Sequence, residues 1–342
     1  MKVEAARRTL SRLIGAKPAE IVFTSGGTES IATVFAQKWK AIVISTVEHS
    51  AVIQAARTAE NRGITVFRAG VNRDGSLQEG VLRDCVEQAR RVNGTGNVLV
   101  SLMLANNETG VIFPLEKLSG FIKKVDVYFH VDAVQCVGKI PVDVDTLNCD
   151  YLSLSAHKFH GLKGAGLLFR RHMAPLIPLI HGHQESGFRG GTENVVGIIA
   201  MAIAAKEVVE MGPSNRGMQQ NRDSLEKQLM DSIPGLRIIG SGQHRLPNTS
   251  NMMFPRHDGT MLAEALSRRG LFVSTGSACS TGGQASHVLR AMGYSQREAD
   301  SCLRFSLSAF STRDEIDRAV RIVKDIVDGM IELPQMNQEG DR

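Results

Sequence analysis

The stretch LSLSAHKFHG, residues 152–161, is an alternating apolar run that ends in Ser155, His157 and Lys158 before a turn at Gly161. The pattern predicts a buried strand that leads directly into a polar connection. Desolvation at the end of such a strand disfavours the ammonium form of a lysine, and the neutral amine is a nucleophile. Lys158 is therefore a candidate for a covalent bond to a carbonyl compound, although a structural lysine at a strand end gives the same local pattern.

The composition limits the kind of protein that this chain forms. Its 342 residues include 42% hydrophobic and 22% charged residues, which is typical of a globular protein with one large and one smaller core. Basic and acidic residues are interleaved, the net charge is +5 and 5% of the residues are aromatic, so no nucleic-acid partner is predicted. No apolar run is long enough to predict a membrane segment.

Five cysteines are spread along the chain without any CxxC pair: Cys85, Cys136, Cys149, Cys279 and Cys302. Their odd number and wide spacing argue against a disulfide framework and against a zinc site, and no metal is predicted. Because such a chain suits a reducing compartment, we expect a cytoplasmic protein. Residues 1–15 are basic and apolar like a targeting peptide, but Glu4 and the immediate continuation into a strand favour a structural helix.

Short β-branched runs alternate with helical stretches between residues 20 and 170. The predicted strands are IVFTS (21–25), AIVIS (41–45), ITVFR (64–68), NVLVSLML (97–104), VYFHVDA (127–133), YLSLSA (151–156) and GLLFR (166–170). Apolar strands separated by helices predict an α/β fold with a mostly parallel sheet flanked by helices. Ligands bind at the carboxyl ends of the strands in such sheets. Polar residues follow these ends: Thr28, His49, Asn107, Asp132, Gln135 and Lys158.

The pattern changes after Thr192. A helical stretch over residues 193–231 is predicted to connect two domains, and the mixture of short strands and helices that follows is typical of an α+β domain. We predict a large domain over residues 14–210 and a smaller α+β domain formed by residues 1–13 and 211–342.

A candidate anion site precedes the first predicted helix of the sheet domain. Residues 24–30, TSGGTES, run from a strand through a turn at Gly26 and Gly27 into a helix N-terminus. Backbone N–H groups and the helix dipole at such a turn bind anions, and the Thr28 hydroxyl adds a donor, so a phosphate is the expected guest. Ordinary N-capping by Thr28 explains the same pattern.

Asp132 lies at the end of the fifth predicted strand, where a buried carboxylate needs a cationic partner. With a phosphate site and a nucleophilic lysine at the same edge, the protonated pyridine nitrogen of pyridoxal phosphate fits, since that cofactor acts as an electron sink when protonated. His49 is placed to stack on the ring, with a satisfied core histidine as the alternative. Asn107 and Gln135 would bind the phenolic oxygen of the ring.

Two further residues stand out in the second half of the chain. Cys279 lies in GSACSTGG (276–283), a loop of small and polar residues, which favours a reactive thiol over a structural one. Arg304 interrupts an apolar strand and suits bidentate binding of an amino-acid carboxylate, with a buried structural ion pair as the alternative.

Seven ordered motifs resemble those of the cysteine desulfurases and selenocysteine lyases, which are class V aminotransferase-like, pyridoxal-phosphate enzymes: SGGTE, VEH, LANNETG, HVDAVQ, SAHK, GFRGGTEN and GSACS. The resemblance covers residues 5–330. It implies a homodimer of the transferase fold type I that takes sulfur from L-cysteine as a persulfide and releases L-alanine. The sulfur would then pass to an acceptor protein, a scaffold or sulfur carrier, in iron–sulfur cluster or thiolation pathways.

The resemblance also implies roles for individual residues. Lys158 would form the Schiff base, Asp132 would pair with the pyridine nitrogen, and His49 would stack on the ring and transfer protons. Asn107 and Gln135 would hold the ring oxygen, and Asn107 would also contact the substrate.

Further roles concern the phosphate, the substrate and the sulfur. Arg304 would bind the substrate carboxylate, and Cys279 would accept the sulfur. Thr192 would reach the phosphate from the other subunit. The remaining phosphate ligands would be Gly27, Thr28, Ser155 and His157.

The chain departs from the family pattern in several places. The Asp-x-x-Ala-Thr-Thr-Pro signature of the family's usual N-terminal segment is not found, Leu162 stands where proline is usual, and HGH (181–183) replaces a run of glycines. A truncated, non-catalytic homologue that acts by dimerisation is therefore an alternative. Selenocysteine lyase, acting on L-selenocysteine, is the alternative within the class, because LANNETG and RLPNTSN (245–251) resemble the animal lyases. The presence of both Lys158 and Asp132 favours an active desulfurase.

Overall fold

The computed structural model describes residues 2–93, 97–212, 215–276 and 286–330. Within these ranges the helices are α1 (Lys2–Leu13), α2 (Gly27–Phe35), α3 (Ser50–Asn61), α4 (Glu79–Asn93), α5 (Leu115–Lys124), α6 (Val195–Met211), α7 (Asn215–Ser232), α8 (Gly259–Arg268), α9 (His287–Ala291), α10 (Gln296–Asp300) and α11 (Arg313–Gly329). Short 3₁₀ helices span Pro18–Glu20, Ala156–Phe159 and Glu185–Gly187. None of the helices in the described ranges is long and apolar enough to cross a membrane.

The strands are β1 (Ile21–Thr24), β2 (Ala41–Ser45), β3 (Thr65–Ala69), β4 (Val98–Met103), β5 (Tyr128–Asp132), β6 (Tyr151–Ser155), β7 (Gly166–Arg170), β8 (Arg237–Ile238), β9 (Thr249–Met253), β10 (Ser274–Thr275) and β11 (Cys302–Ser306). Each strand predicted for the first half of the chain is present, with its bounds shifted by one residue at most. The predicted α/β class is therefore confirmed.

The chain divides into two compact units. The first contains residues 1–71, 76–107 and 112–213, and the second contains residues 72–75, 108–111 and 214–342. In the described part of the first unit, seven strands form one sheet in the order β1-β7-β6-β5-β4-β2-β3. Strands β3, β2, β4, β5 and β6 are parallel, whereas β7 pairs antiparallel with β6 and β1. Every residue of β2, β4 and β6 is buried, as expected for parallel strands covered on both faces.

The second unit has its own antiparallel sheet, in which the described strands follow the order β10-β11-β9-β8. Its core combines apolar residues of this sheet with those of α7, α8 and α11. Helix α11 shows how the sequence leads to this packing of helices against the sheet. Ile316, Val320, Val323 and Val327 recur at helical spacing and are buried, and Thr312 caps the helix through the Glu315 N–H.

The predicted connecting helix over residues 193–231 is wrong in one respect, because it is two helices. Helix α6 ends at Met211, and Gly212 adopts a φ of 55° that glycine tolerates best. Pro213 comes next in the sequence and lacks the N–H group that a continued helix would need.

The N-terminal helix lies in a different unit from the one predicted for it. Residues 1–13 were expected in the smaller domain, but α1 belongs to the first unit. Its Arg7 forms two hydrogen bonds of 2.8 Å with the Glu185 carboxylate and another of 2.8 Å with the Ile21 carbonyl. These contacts of Arg7 attach the helix to the first unit.

Candidate active site

Polar residues at the carboxyl ends of parallel strands surround one cavity in the first unit. The cavity has a volume of about 240 Å³. Because β4, β5 and β6 are parallel neighbours, the residues that follow them meet at one edge of the sheet. Many of the predicted site residues line this cavity: Gly27, Thr28, His49, Asn107, Asp132, Gln135, Ser155, His157 and Lys158.

One wall of the cavity is the turn from β1 into α2. Among the described residues, no side chain caps the N-terminus of α2. A Cβ atom on Gly27 would lie 2.6 Å from Val134 Cγ2, and one on Gly166 would lie 2.4 Å from Gly26 Cα, so this turn packs too closely for side chains. The backbone N–H groups of the first turn, together with the hydroxyl of Thr28, form a site suited to an anion.

Further polar groups adjoin this turn. Ser155 Oγ and His157 Nδ1 lie 2.9 Å apart, and the pKa of His157 is lowered by burial and by the charges of Lys158 and Lys163. In the first turn of α2, the Glu29 carboxylate pairs with Arg189 at 3.0 Å. This ion pair offsets a negative charge that would otherwise oppose a bound phosphate.

Asp132 ends β5 and is 6% exposed. Its Oδ1 accepts a hydrogen bond of 3.0 Å from the Val134 N–H. Burial raises the pKa of Asp132 to about 6, while the Val134 hydrogen bond and the charge of Lys158 act in the opposite direction. The carboxylate is therefore ionised at neutral pH in a nearly dry position, where pairing with a cation has a large effect.

His49 is the N-cap of α3, and its Nδ1 accepts a hydrogen bond of 3.1 Å from the Ala51 N–H. A ring nitrogen that accepts a hydrogen bond carries no proton, so the neutral ring has its proton on Nε2. The backbone thereby selects the tautomer of a ring that lines the cavity.

Lys158 lies in the 3₁₀ helix Ala156–Phe159, one turn beyond the buried strand β6. Its side chain is exposed in the single chain, so the expected desolvation by the strand is wrong. A second amine, which no sequence motif indicates, lies nearby. Lys139 Nζ donates to the carbonyl oxygens of Gln135 at 2.8 Å and of Lys158 at 3.4 Å, and burial together with the charge of Lys158 lowers the pKa of Lys139 to about 8.

Two predicted site residues, Thr192 and Arg304, are described but do not line this cavity. Thr192 lines another cavity of the first unit, of about 80 Å³, together with Ser25 and Arg189. Arg304 belongs to the second unit, where it lies on β11 and its Nη2 donates to Ser274 Oγ at 3.2 Å. Cys279 lies outside the described residues.

Two buried titratable residues were missed by the sequence analysis. Glu48 is 0% exposed, and burial raises its pKa to about 8. His130 is also 0% exposed and lies between Ser101 Oγ at 2.8 Å and Ser153 Oγ at 2.9 Å. In the sequence, Glu48 comes directly before His49, and His130 comes two residues before Asp132. These positions were the only signals that could have indicated a role for the two residues. A polar residue inside a motif gives no sign that its side chain is buried.

Comparison with known proteins shows the family of the chain. The family model for aminotransferase class-V matches residues 1–319, so the chain belongs to that family. A cysteine desulfurase from Cereibacter sphaeroides is 41% identical over 345 residues, covering 98% of this chain and 87% of the relative. Within the family, the chain therefore groups with the cysteine desulfurases, which are pyridoxal-phosphate enzymes.

Solved structures support the same fold. A structure described as a NifS-like protein has a TM-score of 0.86 and 35% identity, and the match covers 96% of this chain and 88% of the other. A structure of SspA in complex with cysteine has a TM-score of 0.74 and 28% identity, with 91% and 88% covered. The mostly parallel seven-stranded sheet among the described residues is thus the fold type I of pyridoxal-phosphate enzymes.

Proposed function

We propose that this protein is a pyridoxal-phosphate-dependent cysteine desulfurase that removes sulfur from L-cysteine, releases L-alanine and holds the sulfur as a persulfide on Cys279. The observation that supports the proposal best is one cavity lined by a lysine, a buried carboxylate and a glycine turn at a helix N-terminus. The cysteine desulfurase relative supports the reaction, and the solved complex of SspA with cysteine supports the substrate.

The residues of the cavity fit pyridoxal phosphate. The α2 N-terminus, with Thr28, Ser155 and His157, would hold the phosphate, and Gly27, which has no room for a side chain, would contribute its backbone N–H. Asp132 is ionised and nearly buried, so it would keep the pyridine nitrogen protonated. When bound, the cofactor supplies an electron sink for the substrate's α-carbon.

Other residues of the cavity would place the ring and bind it covalently. Lys158 would bind the cofactor through its amine, as its position in the cavity allows. The His49 ring would stack on the cofactor and present the Nε2 proton that its helix cap selects. Asn107 and Gln135 would donate to the ring oxygen.

Substrate binding and sulfur transfer would use residues outside this cavity. Arg304 would bind the carboxylate of L-cysteine through its guanidinium group, with Asn107 as a second contact. The Cys279 thiolate would form a bond to the substrate sulfur as the carbon–sulfur bond breaks, and the carbon would take a proton to give alanine. An acceptor protein would then remove the sulfur.

The assembly and location belong to the same proposal. Thr192 lies apart from the Lys158 cavity, in agreement with a role in the site of a second subunit of a homodimer. Free, buried thiols at Cys85, Cys136, Cys149 and Cys302 suit a reducing compartment such as the cytoplasm.

Lys158→Ala tests the covalent role of this lysine. Wild-type protein supplied with pyridoxal phosphate is expected to be yellow, and borohydride should fix the cofactor to the peptide that contains Lys158. The variant should lose this adduct, whereas the matched control Lys163→Ala, which removes an exposed lysine of the same loop, should keep it. Mass spectrometry of the reduced peptides provides the measurement. A colourless wild type, or an unchanged adduct in Lys158→Ala, would contradict the proposal.

A further inference from the structure

Two connections at the edge of the sheet bring His49 and Asn107 to the cavity. Residues 46–49 link β2 to α3, and residues 104–107 follow β4. His49 ends the first connection, Asn107 lies within the second, and both line the cavity. Their relative placement therefore depends on what holds the two connections together.

Glu48 attaches the first connection to the end of β4. Its Oε1 accepts hydrogen bonds from Ser45 Oγ at 2.6 Å and from the Met103 N–H at 3.1 Å. Met103 pairs in register with Asp132 on β5, so Glu48 is fixed to the strand next to the one that ends in Asp132. The side chain is 0% exposed, and water does not compete for these contacts.

Asn106 makes the reverse attachment. Its Nδ2 donates to the Val47 carbonyl at 3.0 Å and lies 3.4 Å from Met103 Sδ. Asn106 is 2% exposed. Glu48 thus ties the first connection to the last residue of β4, and Asn106 ties the second connection to the first.

Neither of these side chains belongs to the lining of the cavity, which they adjoin through His49, Asn107 and Met103. We propose that Glu48 and Asn106 are positioning residues that hold His49 and Asn107 in the relative placement needed by the pyridoxal ring. This inference rests on the proposed function. We call the pair of side chains Glu48 and Asn106 the latch. The latch does not touch the cofactor but supports residues that would touch it.

The protonation of Glu48 determines which substitution preserves the latch. Burial raises its pKa to about 8, the hydrogen bonds from Ser45 and Met103 lower it, and the charge of Asp132 raises it. Glu48 is therefore mostly a neutral acid at pH 7. Oε1 accepts both hydrogen bonds, so the latch needs an acceptor oxygen at this position. Glutamine has the same shape and also offers a carbonyl acceptor.

The test compares Glu48→Gln with Glu48→Ala in the cofactor-free protein. Amide hydrogen exchange, measured by NMR, follows two hydrogen bonds. The Met103 amide reports the hydrogen bond to Glu48. The Ala51 amide, which donates to the His49 ring, reports the placement of His49. We expect Glu48→Ala to speed exchange at both amides by about tenfold, the effect of one lost hydrogen bond, and Glu48→Gln to leave both near the wild-type rate. The Phe129 amide, which donates to Asp150, is the internal control and should not change.

Affinity for pyridoxal phosphate gives a second readout, by titration of the cofactor-free variants. Glu48→Ala and Asn106→Ala should each raise Kd by about tenfold, and Glu48→Gln by less than about twofold. If Glu48→Ala does not fold, Asn106→Ala tests the latch alone through the Ala51 amide and the same titration. A wild type that does not bind the cofactor would contradict the proposed function, while the exchange measurement would still test the latch.

Two results would overturn the inference. If Ala51 exchanges at the wild-type rate in both alanine variants, the latch does not position His49. If Glu48→Gln behaves like Glu48→Ala in exchange and affinity, a charged carboxylate is required and the neutral-acid account of the latch is wrong.

Discussion

At the scale of single residues, His130 shows how a buried polar side chain is accommodated in the sheet. Its two ring nitrogens lie 2.8 Å from Ser101 Oγ on β4 and 2.9 Å from Ser153 Oγ on β6. A neutral ring has one donor and one acceptor, and a hydroxyl group satisfies either, so both contacts are made without a charge. Burial lowers the pKa of His130 to about 3, which keeps the ring neutral across the physiological range.

His130 should make the stability of the fold depend on pH. The unfolded chain binds a proton near the ordinary pKa of 6.5, and the folded chain does so only near 3, so the free energy of unfolding falls as the pH drops between these values. The slope is at most about 1.4 kcal/mol per pH unit. His130→Gln removes this titration.

Denaturant unfolding of both proteins between about pH 7 and pH 5 measures the effect. We expect the wild type to lose stability relative to His130→Gln as the solution becomes more acidic. Parallel pH profiles would show that His130 does not contribute.

At the scale of secondary structure elements, β7 and the β1–α2 turn approach each other at Gly166 and Gly26. A Cβ atom on Gly166 would lie 2.4 Å from Gly26 Cα and 2.7 Å from its carbonyl carbon, and backbone atoms cannot rotate away. Gly166→Ala should therefore shift the N-terminus of α2, cost more than about 2 kcal/mol of stability and weaken phosphate binding.

The matched control for this substitution is Gly120→Ala in α5, where an added Cβ has open space around it. Alanine in an exposed helix should stabilise the protein by up to about 1 kcal/mol. Thermal unfolding and titration with pyridoxal phosphate measure both variants. Equal behaviour of the two would mean that the close approach at Gly166 does not constrain the cavity.

The elements differ in how far the sequence predicts them. The strands of the first sheet could be located because their β-branched runs are local signals, and the parallel arrangement then placed Thr28, Asp132 and Lys158 at one edge. The break at Gly212 was missed because the apolar spacing continues on both sides. The Glu48–Met103 contact joins residues 55 positions apart, and no pattern within either segment reveals it.

At the scale of the whole molecule, the residues named in the proposed function are distributed over both units of the chain. Lys158 belongs to the first unit and Arg304 to the second, while Cys279 lies in sequence between β10 and α9. The sequence motifs could predict which residues of each unit have a role in the reaction. They could not supply the geometry around Cys279, which lies outside the described residues.

Cys279→Ala separates the two candidate substrates. We expect this variant to stop producing alanine from L-cysteine, because the sulfur has no thiolate acceptor, and to keep some activity on L-selenocysteine, whose selenol leaves more readily. Alanine formation from each substrate provides the measurement. Cys302→Ala is the matched control, since Cys302 is buried and burial raises its pKa to about 12, and it should keep most activity on both.

Mass spectrometry after a single turnover should place the added sulfur on the peptide that contains Cys279. Wild-type desulfuration by Cys279→Ala, or a persulfide on another peptide, would contradict this assignment.

The burial of the other thiols also affects how faithfully sulfur would be delivered. Exchange between a persulfide and a thiol requires a thiolate that can reach the outer sulfur atom. Cys85, Cys136, Cys149 and Cys302 are buried, and burial raises the pKa of each, so at neutral pH they are protonated and shielded. These described cysteines would therefore be poor acceptors for a sulfur atom held on Cys279, so the sulfur would pass to an external acceptor and not to another of these thiols.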